Sequence, residues 1–418
     1  MTFRRLAWAL AAILPLAACT SSPARHSSDS VTAATAQPAK LLLVSIDGLR
    51  ADALDRGITP NLQRIIDGGV RAKWMTPSYP SLTFPNHYTL VTGLRPDHHG
   101  IIHNSMDDAE LGQFKLSDRE VVTRTAWWGG EPIWVSAEQA GVRTATWSWP
   151  GSEAEVKGIR PSQWRRYDES VQPEERASTV LDWLQQTGPD APRLATLYLE
   201  HVDKAGHNNG PDSPQYTQAV ERVDAVLGRI LDGLQERGLA DTTNVIVVSD
   251  HGMAPVPEGQ VIATEDMVDP ALARSISVGQ SVGFEPLSGH EPAALRALVG
   301  RHAHYECWEK QNLPARWHYG RNPRVPAVIC QMDEGWDALT GATIARRAHQ
   351  DRGSHGYDNA LPSMRAVFIA RGPSFRQGAV IDSFDNVDLY PLLAHLLQVP
   401  AAANDGNPAT LRNALRSR

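Results

Sequence analysis

The residues able to do chemistry in this chain are one threonine and a scattered set of aspartates and histidines. Thr83 lies in Thr83-Phe84-Pro85-Asn86-His87. Pro85 fits the first position of a helix running through Tyr88 to Val91. Thr83 is then expected just ahead of that helix's unpaired N–H groups, where anionic oxygens bind favourably and a threonine oxygen could attack a phosphorus. On this pentapeptide alone a threonine capping a helix is the commoner reading. The second set is Asp47, Asp203 with His207, and Asp250 with His251. Carboxylate oxygen and imidazole nitrogen are donors that zinc accepts.

These residues share a setting, because each follows a short apolar run. Leu41–Ile46 ends at Asp47-Gly48, Leu194–Leu199 leads into Glu200-His201-Val202-Asp203, and Asn244–Ser249 ends at Asp250-His251-Gly252. Runs of this length, separated by helical stretches, read as buried parallel strands. A doubly wound sheet places its site beyond the carboxyl ends of its strands. Asp47, Asp203 and Asp250 are therefore expected to converge.

The rest of the chain supplies the frame. Its 418 residues and 42% hydrophobic content allow a substantial α/β core. The net charge of −7, with no run of lysines and arginines, argues against binding a nucleic-acid polymer. Helices are expected at Pro60 to Asp67, Pro132 to Ala140, Pro173 to Gln185, Gln215 to Arg237 and Val387 to Leu397, with a further core strand at Met364 to Ala370. Met253 to about Ala348 loses this alternation and suggests an inserted, hairpin-rich subdomain at about 254–348. The fold class expected is α/β: a doubly wound, mostly parallel sheet with helices on both faces and that insertion, over residues 40–418.

At the amino end, Arg4 and Arg5 precede the apolar run Leu6 to Ala18. At about 13 residues this run is too short to span a bilayer and fits a signal peptide over residues 1–18. Leu16-Ala17-Ala18-Cys19 is similar to a bacterial lipoprotein box, which implies a lipidated Cys19, a flexible tether over residues 19–39 and membrane contact through that lipid alone. The protein is thus expected to be exported, periplasmic or anchored at the outer membrane of a bacterium, with simple secretion as the alternative. Cys307 and Cys330 then remain as a possible disulfide pair or as two buried thiols.

Taken together, the chain resembles the nucleotide pyrophosphatase/phosphodiesterase family of the alkaline phosphatase superfamily. The resemblance rests on Ile46-Asp47-Gly48, the run from Thr83 to Tyr88, Val91-Thr92-Gly93 through His99-Gly100, Trp127 to Trp134, Trp149-Pro150-Gly151, Asp203 to His207, Ser249 to Met253 and Ser354-His355-Gly356. It implies two Zn2+ ions, one held by Asp47, Thr83, Asp250 and His251 and the other by Asp203, His207 and His355. Asp203 and His207, four apart, could share one helical turn, and a three-residue set leaves a coordination position open. The remaining histidines, among them His87, His98, His99 and His103, are set aside as structural or exposed.

The activity implied is hydrolysis of nucleotide phosphodiester or pyrophosphate bonds. Thr83 attacks phosphorus in line, a phosphothreonine forms, and hydroxide at the metal of Asp203, His207 and His355 hydrolyses it. Asn104 matches the family position whose amide, with a backbone N–H beside the nucleophile, holds a nonbridging phosphate oxygen. Phe84 and Tyr198 match positions that stack a nucleobase or line the leaving-group side, and Trp127, Trp128, Trp134, Trp147 and Trp149 are expected beside the site. A small nucleotide is the partner expected. The alternatives are a choline or phospholipid-headgroup phosphodiesterase on the same site, a phosphate monoesterase, and a surface lipoprotein that only binds.

Overall fold

Lys40–Ile46 (β1) is buried along nearly all its length and divides its side chains between two apolar clusters. Leu41 and Leu43 enter one, and Leu42, Val44 and Ile46 enter the other. Successive strand residues point to opposite faces, so a strand apolar on both faces must be covered on both. The computed structural model describes residues 38–417 together with residue 11. Apart from residue 11, the expected signal peptide at 1–18, with Cys19 and nearly all of the 19–39 tether, lies outside the described residues. Among the described residues no helix is long and apolar enough to cross a membrane.

The central sheet has eight strands: β1, Gly69–Ala72 (β2), Thr144–Trp147 (β3), Gln163–Arg165 (β4), Leu194–Leu199 (β5), Thr243–Val248 (β6), Phe368–Arg371 (β7) and Ala379–Ile381 (β8). Their spatial order is β8-β2-β7-β6-β1-β5-β3-β4. From β6 to β4 the strands run parallel, but β7 runs antiparallel to both β6 and β2. The sheet is therefore mixed. The core strand expected at Met364 to Ala370 begins only at Phe368, because Pro362–Met364 form a short 3-10 turn.

Helices cover both faces. Pro60–Asp67 (α1), Pro173–Gln185 (α4) and Pro214–Glu236 (α6) supply apolar residues to one cluster, whereas Thr83–Thr92 (α2), Ile133–Gln139 (α3) and Leu389–Leu397 (α7) supply the other. A further helix, His201–Asn209 (α5), follows β5 almost directly. Pro132 precedes α3 as its cap, and α7 begins at Leu389 after a 3-10 turn over Asn386–Asp388.

The helix bearing the threonine starts earlier than expected. Leu82 is its N-cap, with extended backbone and no side-chain cap bond, so Thr83 is the first helical residue and Pro85 the third. The shift costs nothing, since the first four N–H groups of a helix have no intrahelical acceptor and Pro85 lacks only one of these. The first intrahelical bond closes from Asn86 N–H to the Leu82 carbonyl at 3.1 Å.

Between Met253 and Ala348 the chain builds a five-stranded antiparallel sheet with an apolar cluster of its own. Cys307 and Cys330 sit opposite one another on adjacent strands of that sheet and form a disulfide. Arg352–Ser354 then pairs antiparallel with Ala254–Val256. That pairing brings the chain back beside the end of β6 and delivers His355 there.

Candidate active site

Asp47, Glu200 and Ser249 are the first residues beyond β1, β5 and β6, which are neighbours in the sheet. Strand adjacency thus brings together residues two hundred positions apart in the chain. Asp47, Asp250 and His251 form one group of ligand-type atoms, and Asp203, His207 and His355 form a second. Gly48 allows the two groups to approach. Its φ is +68°, and a Cβ there would lie 2.9 Å from the Asp203 Cα.

In the first group His251 Nε2 lies 2.9 Å from Asp250 Oδ2 and 3.5 Å from Asp47 Oδ1. Thr83 Oγ1 lies 3.4 Å from the same nitrogen. In the second group His355 Nε2 is 3.0 Å from His207 Nε2 and 3.4 Å from Asp203 Oδ1. Asp203 and His207 do share one turn of α5. The groups adjoin through the His251 and His355 rings, which stack at 3.6 Å.

Each of the three histidines places Nδ1 against a backbone carbonyl: His207 on Gly353 at 3.0 Å, His251 on Gly252 at 2.9 Å and His355 on Ser81 at 2.9 Å. A proton held at Nδ1 leaves Nε2 as a bare lone pair, the arrangement that metal-ligating histidines use. In the second group two such lone pairs face each other. The carboxylates repeat the pattern, because Asp47 Oδ1, Asp203 Oδ1 and Asp250 Oδ2 are buried and have no hydrogen-bond partner. Unpartnered buried carboxylate oxygens are expensive. One cation beside each group would satisfy all of these atoms, so the donor set fits divalent metal ions.

The electrostatics carry the same signature. Burial, then the neighbouring Asp250 and Asp203 charges, push the Asp47 carboxyl well above its ordinary range. Burial and the nearby His251 and His207 push the His355 imidazole well below its own. For Asp250 burial acts upward, yet the His251 and His87 imidazoles together hold it well below the usual carboxylate range. Asp47, crowded by two other carboxylates, is where a cation would relieve the most repulsion.

A cavity of about 420 Å³ opens from this cluster, and its walls include Asp47, Thr83, Phe84, Asn104, Tyr198 and His355. Asn104 Oδ1 accepts the Phe84 N–H at 3.0 Å, so in this structure the backbone donor beside Thr83 is turned to the Asn104 side chain. The Tyr198 hydroxyl donates to Asp47 Oδ2 at 2.6 Å, which ties the cavity wall to the metal-ligand group. Of the five tryptophans expected at the site only Trp149 lines the cavity. Trp127, Trp128 and Trp134 pack in the α2 and α3 layer, with Trp128 touching Phe84, and Trp147 faces the opposite layer against Trp183.

Sequence reasoning missed three contributors. His87, set aside above, is fully buried, with Nδ1 2.9 Å from the Thr83 carbonyl and 3.3 Å from Asp250 Oδ2, and Nε2 2.8 Å from Ser45 Oγ. Asn86 holds the loop leading into α2. Tyr167 lines the cavity two residues beyond β4, and Trp149 stands in the same relation to β3. Gln163–Arg165 carries no apolar run, so nothing in the sequence marked β4 as a strand whose end would point to Tyr167.

The family described as type I phosphodiesterase / nucleotide pyrophosphatase matches residues 41–358. An uncharacterised pyrophosphatase/phosphodiesterase of Schizosaccharomyces pombe is 37% identical over 379 residues, covering 88% of this chain and 78% of that protein. Bovine ectonucleotide pyrophosphatase/phosphodiesterase family member 3 is 36% identical over 387 residues, covering 90% of this chain but 44% of that protein. Among solved structures, murine ectonucleotide pyrophosphatase/phosphodiesterase 5, an inactive variant in complex with AMP, superposes with a TM-score of 0.85 at 34% identity, covering 90% of this chain and all of that one. With this coverage, and with the aspartates, histidines and Thr83 gathered at the carboxyl ends of the central strands, the chain belongs to the type I phosphodiesterase/nucleotide pyrophosphatase family of the alkaline phosphatase superfamily.

Proposed function

We propose that the protein is a zinc-dependent nucleotide phosphodiesterase and pyrophosphatase working through a phosphothreonine at Thr83. One observation carries this reading: three buried carboxylate oxygens without partners face three histidine lone pairs, within reach of the Thr83 hydroxyl. Two Zn2+ ions, held by Asp47, Thr83, Asp250 and His251 and by Asp203, His207 and His355, would supply the positive charge that eases loss of the threonine proton and that neutralises the departing oxygen.

The chain's own part is positioning. Thr83 opens α2, so its oxygen lies at the end where the helix presents free N–H groups to a phosphate. Rotation of the Asn104 amide would release the Phe84 N–H and offer its own Nδ2 to a nonbridging phosphate oxygen. Thr83 Oγ1 forms the new bond to phosphorus while the bond to the leaving oxygen breaks, and water then cleaves the phosphothreonine. Phe84, Tyr167 and Tyr198 with Leu116 and Val122 give the cavity an aromatic and apolar wall suited to a nucleobase. The murine relative's complex with AMP supports this choice of substrate.

The test is hydrolysis by the full-length, zinc-loaded protein of a chromogenic nucleotide diester, its monoester and a choline phosphodiester, with Thr83→Ala alongside. The diester is expected to be preferred, and its turnover to fall by about 10³-fold or more in Thr83→Ala. Undiminished turnover in that variant would remove the nucleophile, whereas preference for the choline compound would remove the nucleobase reading of the aromatic wall.

A further inference from the structure

A second cavity, of about 530 Å³, adjoins the first and shares with it Asn104, His207 and His355 and no other residue. Its remaining wall has a different character, with Arg346, Arg347 and Arg352 against one carboxylate, Asp337. Both Asp337 oxygens are engaged, Oδ2 by Arg347 at 2.6 Å and Oδ1 by the Gln280 amide. Among the described residues Arg346 and Arg352 have neither an ion pair nor a side-chain hydrogen bond, and Arg347 Nη1 is buried without an acceptor. Donors left free around a cavity with surplus positive charge await an anion.

The position of this cavity says which anion. In-line attack by Thr83 expels the leaving group on the far side of phosphorus. Under the function proposed above, on which this inference rests, Asp203, His207 and His355 would hold the ion that supplies positive charge to that departing oxygen. His207 and His355 border both cavities. With the nucleoside in the aromatic cavity, the arginine-lined one receives what leaves.

We propose that Arg346 and Arg352 are specificity-determining residues of a leaving-group subsite, which binds the phosphoryl groups of a departing polyphosphate. The bond from Thr83 Oγ1 to the α-phosphorus forms as the bond from that phosphorus to the bridging oxygen breaks, and the departing phosphate keeps the electron pair. The threonine proton passes to solvent. Water then releases the nucleoside monophosphate, so a nucleoside triphosphate and water give the monophosphate and pyrophosphate. Arginine suits the task because its planar fork donates two parallel bonds to phosphate. An uncharged alcohol leaving group gains nothing from it.

The experiment measures kcat/KM for ATP and for p-nitrophenyl thymidine 5′-monophosphate, using full-length zinc-loaded wild type, Arg346→Gln, Arg352→Gln and Arg346→Lys. The ratio of ATP to aryl ester is expected to fall about tenfold or more in each glutamine variant, the usual loss for a charge-assisted contact. Arg346→Lys, which keeps the charge and loses the fork, should retain only part of the ratio. Arg352 lies beside Gly353, whose carbonyl positions His207, so a general disturbance there would lower both substrates together. Arg346 is exposed and free of such contacts, and its glutamine variant decides the matter. An unchanged ratio in Arg346→Gln overturns the proposal. Thr83→Ala, run in parallel, fails separately: activity surviving in it would remove the catalytic reading, whereas an intact Thr83 requirement with an unchanged ratio removes only the subsite.

Discussion

Tyr198 joins two tasks at one residue. Its ring borders the cavity, while its hydroxyl donates the single hydrogen bond of Asp47 Oδ2. Burial and the adjoining Asp250 and Asp203 charges already push that carboxyl toward protonation, and the Tyr198 donor opposes them. Tyr198→Phe keeps the ring and removes the donor. The expected result is metal retention weakened by about 10–100-fold, as for other partners of metal ligands, measured by competition with a chromophoric chelator. Unaltered retention would mean that the hydroxyl serves only the cavity. Asp47, Asp250 and His251 are legible in the sequence because each follows an apolar run. The tyrosine hydroxyl's partner is not, since Tyr198 and Asp47 meet only because β5 and β1 are neighbours.

At the scale of elements, what aims Thr83 is the lead-in to α2. Asn86 Oδ1 accepts from the Ser78 N–H at 2.8 Å and from Asn386 Nδ2 at 2.9 Å, and its own Nδ2 donates to the Pro80 and Leu82 carbonyls at 2.9 Å each. One buried amide thus fastens the loop from Ser78 to Leu82 onto the first turn of the helix. Asn86→Ala strands several buried polar groups, each costing about 1–3 kcal/mol. It is expected to lower stability by that order and, in protein that circular dichroism shows folded, to lower kcat about 10²-fold through misplacement of Thr83. Full kcat in the folded variant would show that the loop does not set the nucleophile. The sequence drew the eye to this pentapeptide for the threonine. That the asparagine three positions later fixes its direction depends on contacts with Ser78 and Asn386, the latter 300 positions away.

At the scale of the whole molecule, the layer holding α2 is stabilised by histidines that must stay neutral. His99 Nδ1 accepts the Ile101 N–H at 3.1 Å and Nε2 donates to Thr89 Oγ1 at 3.0 Å, so a second ring proton would oppose a donor. Burial pushes its pKa down to about 3, and that of His103 to about 4. The folded state then binds fewer protons than the unfolded one, so the stability is fully present above about pH 6.5 and is lost as pH falls below it. Between pH 7.5 and pH 5 His99 alone is expected to cost about 2 kcal/mol. Urea unfolding of wild type and His99→Gln at both pH values reads this as a smaller acid loss in the variant. Metal release affects both proteins alike, and equal losses would contradict the assignment. Much of the α/β frame was set by the sequence itself, through local patterns: apolar runs of strand length, prolines opening helices at Pro60 and Pro173, and Asp203 four residues from His207. Tertiary structure alone decided that β7 runs antiparallel, that α2 begins at Thr83, that Trp147 faces away from the site while Tyr167 lines it, and that Arg346 and Arg352 line a cavity that His207 borders. The physical reason is range. Periodicity and capping act within a turn or a strand, whereas strand order, helix phase and the meeting of side chains from distant loops depend on how the layers pack.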